Sequence, residues 1–129
     1  MDADFTIDVD PALSLVRIRM AGFFTEADVA RFVEAQTRAH QRLRCAPNRH
    51  LTLNDLREIK IQSQDAVTRF GAVLADPAFH SRRLAFVVAS TLARSQLRRA
   101  LGSRPAGLFT DPLEAEAWLL DEDEGRQAA

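Results

Sequence analysis

The sequence predicts a single-domain α/β fold of order ββαβαβαβα, with a mixed, mostly parallel sheet and helices packed on it. Three observations predict it. Two segments of strict polar–apolar alternation stand near the N-terminus with a turn between them. After them, segments of helical period alternate with short apolar runs, the pattern of parallel strands joined by helical crossovers. The chain has 129 residues, 47% of them apolar, enough for one compact core and too few for two ordinary domains.

Each element follows from its own residues. Phe5, Ile7 and Val9 alternate with Thr6, Asp8 and Asp10, which reads as a half-buried strand. Asp10-Pro11-Ala12 is turn chemistry, and alternation resumes from Leu13 to Met20, with Leu15 or Val16, Ile18 and Met20 set against Arg17 and Arg19. The two should pair as an antiparallel hairpin. Gly22 breaks the pattern. Thr25, three residues before Asp28, is an N-cap signal, and the helix from Glu26 to about Arg44 carries Val29, Phe32, Val33 and Leu43 on one face, with Gln36 and His40 on the same stripe.

Leu51-Thr52-Leu53 predicts a short strand ending at Asn54-Asp55. Ser63 caps a second helix bearing Val67, Phe70, Gly71 and Leu74, and Asp76-Pro77 stops it. Leu84 to Ala89, apolar on both faces, predicts a central parallel strand. Ser90-Thr91 caps a third helix through Leu101, closed by Gly102. Gly107 to Thr110 is a last short strand. Asp111-Pro112 is an N-cap and first-position pair for a closing helix that carries Leu113, Ala117, Trp118 and Leu120. Residues 1–120 are expected to form the domain, and 121–129 an acidic, polar tail that frays.

Three stretches carry a family likeness. Phe23-Phe24-Thr25-Glu26-Ala27-Asp28 leads into the first helix; Arg83-Leu84-Ala85-Phe86-Val87-Val88 forms the central strand; Leu108-Phe109-Thr110-Asp111-Pro112-Leu113-Glu114-Ala115-Glu116-Ala117-Trp118-Leu119 forms the closing strand and helix. In order and spacing they resemble the SpoIIAA-like family of small bacterial proteins, related to STAS and SEC14 domains, over about residues 4–120. The resemblance implies a STAS-like fold. Many anti-sigma antagonists of that fold are switched by phosphorylation of a serine at the helix after the third strand, often preceded by aspartate. Here Asp55 is followed by Leu56, and Ser63 comes later, at the N-cap. Ser63 is the phosphorylation candidate; its other role is plain capping.

Composition narrows the function classes. The formal net charge is −1, so bulk charge draws the chain neither to nucleic acid nor to an anionic membrane, and no partner of either kind is expected. Of the 17 basic residues only Lys60 is lysine, a bias that base composition of the genome accounts for and that is not by itself evidence for a ligand. The single Cys45 excludes an internal disulfide and suits a reducing compartment. With no basic apolar leader and no long apolar run, a cytoplasmic location and no membrane span are expected.

Candidate sites are few. Arg94 and Arg98 lie i, i+4 on the third helix, with Arg99 and Arg104 near in sequence and Arg82 and Arg83 before the central strand. Arg94 sits in the first turn, against the helix dipole, which suits a contact to an anion or an acidic partner; a solvated face neutralised by Glu114, Glu116 or the tail is the plainer account. His40, Cys45 and His50 are evenly spaced but match no compact zinc pattern, so no metal or other cofactor is expected. Cys45 near a helix C-terminus is disfavoured as a thiolate. Asp55 and Glu58 flank the third strand's C-terminal end, where α/β folds place ligands, though a solvated loop explains them. Phe23, Phe24 and Phe79 at element ends either seal the core or mark an interface.

These readings favour a non-catalytic protein-interaction or regulatory module that contacts a protein partner, or a second copy in a homodimer, through the arginine helix. The alternatives are a carrier of a small apolar ligand or lipid, which needs an apolar pocket, and an enzyme, which needs a cleft of converging polar groups.

Overall fold

The computed structural model describes residues 2–121. The expected fraying of the tail lies outside the described residues. Strands β1 (Asp4–Asp10), β2 (Leu15–Gly22), β3 (Leu51–Ile59), β4 (Arg83–Val87) and β5 (Gly107–Phe109) form one five-stranded sheet in the order β1-β2-β3-β4-β5. The β1–β2 pair is antiparallel and the other three pairs are parallel, as the sequence pattern requires. Helices α1 (Glu26–His40), α2 (Gln64–Ala75), α3 (Thr91–Leu101) and α4 (Pro112–Leu119) connect and close it, with a short 3-10 turn at Pro77–Phe79.

Strand alternation sorts side chains to two faces. Val16, Ile18 and Met20 of β2, with Leu84 and Phe86 of β4, point to one face, where Val29 and Phe32 of α1, Phe70 of α2 and Leu97 of α3 cover them. Leu15, Leu51, Leu53, Ala85 and Val87 point to the other face, covered by Ala115 and Leu119 of α4. Both sequence options for β2 therefore hold: Leu15 and Val16 are each fully buried, one on each face.

The caps fall where local chemistry puts them. Thr25 and Asp28 form a reciprocal capping box at α1. Phe24 just before the cap is buried near Val29, the arrangement of a hydrophobic staple. Ser63, Ser90 and Asp111 cap α2, α3 and α4 through Ala66, Ala93 and Leu113 N–H groups.

Three expectations are corrected. α1 ends at His40, four residues early: Gln41, Arg42 and Leu43 donate to carbonyls three residues back, a tightening that ends the helix before Pro47. β3 runs on to Ile59 rather than stopping at Asp55. Its register against β2 slips between Arg19 and Ala21, and Asp55 accepts from the Arg57 N–H and from its guanidinium at 2.9 and 2.7 Å, which fixes the bulge. The buried face of α4 is Ala115 and Leu119, whereas Leu113 is 79% exposed. A helix of two turns, apolar on several sides, does not reveal its inner face by periodicity.

Candidate functional site

The C-terminal ends of β2 and β3 meet at Gln62. Gly22 closes β2 at φ +83°, and a Cβ there would stand 2.2 Å from the Asp2 carbonyl oxygen, so only glycine lets the N-terminal segment pass. The Gly22 carbonyl accepts from Lys60 N–H at 3.1 Å and from Gln62 Nε2 at 2.9 Å. Gln62 Nε2 also donates to the Lys60 carbonyl, while its Oε1 accepts from Phe24 N–H. Gln96 of α3 completes the knot by bonding both main-chain groups of Gln62, at 2.8 Å each. One buried side chain thus ties the ends of β2 and β3 to the start of α1, and α3 is fastened to its backbone.

Around this knot the apolar surface is exposed. Phe23 (41% exposed) and Ile61 (46%) flank the bonded residues, and Leu92 (67%) lies one helical turn before Gln96. Of the aromatics singled out in the sequence, Phe24 seals the core, Phe79 packs edge-on against His40, and Phe23 is the one left at the surface.

Six described arginines are ion-paired, and Arg42, Arg44, Arg49, Arg82, Arg94, Arg98, Arg99 and Arg104 are not. Arg94, Arg98 and Arg99 share α3, which bears no acidic residue, and their side chains make no ion pair or hydrogen bond with any described residue. Arg17, Arg19, Arg31, Arg38, Arg57 and Arg69 are all ion-paired. Arg104 is not on the α3 face with the others. It is half-buried, donates to the Leu74 carbonyl at 2.7 Å and to Ser81 at 3.4 Å, and burial lowers its pKa. Arg83 is buried in β4 and stacks over Trp118 at 3.9 Å, on the α4 side of the sheet. Glu116 binds Arg17 at 2.8 Å rather than α3.

The remaining sequence candidates have structural partners. Ser63 is an exposed residue, and its Oγ accepts from Ala66 N–H at 3.1 Å. Hydrogen bonds from Arg57 hold the Asp55 carboxyl below its usual range, and Glu58 pairs with Arg19 at 2.9 Å. Both carboxylates lie in β3 and not in a loop. His40 and His50 meet, with ring centroids 4.6 Å apart. Among the described residues no three His, Cys, Asp or Glu side chains gather as a metal would need. No described helix is long and apolar enough to cross a membrane.

Between α1, α2, α3 and the sheet lies a cavity of about 90 Å³ with walls that include Met20, Leu56, Phe70 and Phe86. Gln36 of α1 lines it and is 7% exposed, and its Oε1 has no hydrogen-bond partner among the described residues. The Gln62–Gln96 knot and this cavity were not legible in the sequence. The only local signal was polar Gln36 and Gln96 on otherwise apolar stripes.

No family profile and no curated protein matches the sequence. Solved structures do. An uncharacterised protein of the DUF3478 family with a SpoIIAA-like fold, from Shewanella loihica PV-4, superposes with a TM-score of 0.71 at 17% identity, covering 92% of this chain and 96% of that one. An anti-sigma factor antagonist from Mycobacterium paratuberculosis superposes with a TM-score of 0.65 at 11% identity, again over 92% and 96%. Strand order, helix placement and these superpositions agree: the chain has the SpoIIAA-like, STAS-type fold that its motifs resemble.

Proposed function

We propose that this protein is a non-catalytic regulatory module that works in the cytoplasm by docking a protein partner whose contact surface is acidic. The observation that carries it is the gathering of three arginines on one helix that bears no acidic residue. Arg94, Arg98 and Arg99 have no counter-charge among the described residues; six arginines elsewhere are paired, and Arg44 and Arg49, also without one, lie apart between α1 and β3. Uncompensated guanidiniums beside exposed Leu92 suit a partner that brings carboxylates around an apolar anchor. Likeness in fold to an anti-sigma factor antagonist is consistent with protein docking. Within this reading Ser63 is where phosphate would enter, at an exposed residue on the N-terminus of α2.

The test is native mass spectrometry of protein purified gently from its host, followed by the Arg94→Glu, Arg98→Glu variant. A bound protein that this variant loses, and that high salt weakens, supports the reading. A homodimer indifferent to the charge reversal, or no protein partner, counts against it.

The cavity favours a second reading, a carrier of a small neutral ligand. Its apolar walls and the unmatched Gln36 acceptor suit a molecule with one hydrogen-bond donor. Size limits the idea: about 90 Å³ is below the roughly 150 Å³ that admits benzene. A lipid would require α2 or α3 to move outward. A small-molecule adduct in the same spectra, lost when Gln36→Met removes the acceptor, would favour this reading over docking.

A further inference from the structure

At the opposite end of the sheet from Gln62, the last residue of α1 and the residue just before β3 pack together. His40 and His50 stand edge to face, ring centroids 4.6 Å apart and planes at 73°. Phe79 of the 3-10 turn closes the cluster against His40 at 5.3 Å. His50 is 2% exposed. The Nε2 atoms of both rings are buried and have no hydrogen-bond partner among the described residues. Two neutral imidazoles can be accommodated here; an imidazolium would need a counter-charge or water.

The neighbouring charges offer none. Arg104, from the segment after α3, repels a proton on His50, and so does His40. Asp76, at the start of the 3-10 turn, spends its carboxylate on the Ala78 N–H. Arg82 follows the turn and donates its backbone N–H to the His50 carbonyl, Arg49 precedes His50, and His80 ends the turn. Among the described residues no carboxylate bonds either ring. The segment between His40 and His50 is fastened across this cluster by Asn48, whose Nδ2 donates to the Pro77 and His80 carbonyls at 2.8 Å each and is itself exposed. The segment's other ties include Leu43 against the core, the Arg42 guanidinium on the Ile7 carbonyl at 3.4 Å and the Arg82 N–H on the His50 carbonyl at 2.7 Å.

We propose that the His40–His50 pair is an acid-sensitive catch: proton uptake by either ring releases residues 41–50 from the 3-10 turn, while the Gln62 end of the sheet stays closed. Burial lowers the pKa of both rings, and His50, which also feels His40 and Arg104, falls to about 4. The closed state then binds fewer protons than the opened one. The catch is fully closed above the free-histidine value of about 6.5 and loosens as pH falls from there toward about 4. The opening constant rises about tenfold per pH unit below the free-histidine value, on the order of a hundredfold by about pH 4.5.

Amide hydrogen exchange on the full chain between pH 7.5 and 4.5, corrected for intrinsic rates, tests this. Expected is a loss of protection on that scale in residues 41–50 and 76–82, with β2 and the Gln62 region unchanged, and its reduction to the His40 share in His50→Phe. If His50→Phe does not fold, His40→Phe, which keeps the edge-to-face packing with Phe79, should flatten the dependence by its own share. Protection that does not change with pH overturns the proposal. A loss spread equally over the whole sheet overturns it too, since that is global acid unfolding.

Discussion

The side-chain amide of Gln96 pairs with both main-chain polar groups of Gln62, accepting from its N–H and donating to its carbonyl at 2.8 Å each. Gln96 acts as the next strand of a ladder would: it satisfies the main chain just past the end of β3 and fastens α3 to it.

Gln96→Leu keeps the volume of the side chain and leaves two part-buried main-chain groups without partners. We expect a loss of about 1–3 kcal/mol, read from the urea midpoint at constant slope. An unchanged midpoint would show that water replaces the amide.

Gly22→Ala forces a side chain into a left-handed conformation and onto the Asp2 backbone. The expected cost is about 1–3 kcal/mol by thermal unfolding. Gly102 also has positive φ, +58°, but nothing lies within 4 Å of its added Cβ, so Gly102→Ala should cost less than Gly22→Ala.

Ser63→Ala removes the cap of α2 and should cost about 1 kcal/mol, whereas Ser63→Asp, a good cap with a negative charge, should hold the wild-type melting temperature. If Ser63 is a switch, Ser63→Asp changes partner binding without changing stability, and the two measurements separate the roles.

Arg94→Glu with Arg98→Glu should leave stability within about 0.5 kcal/mol, because neither side chain has a described partner to lose. Arg104→Ala should instead cost about 1–3 kcal/mol, because it strips the Leu74 carbonyl at the end of α2 of a charged donor. Parallel urea titrations would show whether these arginines divide between surface and scaffold as described.

Much of the fold was legible because it is written locally. Thr25 with Asp28, Ser63, Ser90 and Asp111 cap helices through N–H groups two or three residues ahead, and strand alternation needs only neighbours. Errors arose where a local signal was weak or countermanded. Asp55 looked like a strand end because turn-forming residues usually are, yet its bonds to Arg57 hold a bulge that carries β3 onward. Arg83 looked like part of a basic surface, and its β4 position turned it inward over Trp118.

The sequence by itself determined the order of elements, their caps and the two faces of the hairpin, since these depend on residue type and short spacing. Tertiary structure alone decided that Gln62 meets Gln96, that Arg104 leaves the arginine face to hold α2, and that His40 and His50 share a buried corner. Such meetings are set by the register of the sheet and by how the helices pack on it. Hydrogen bonding and desolvation act over a few ångströms in space, whatever the separation along the chain.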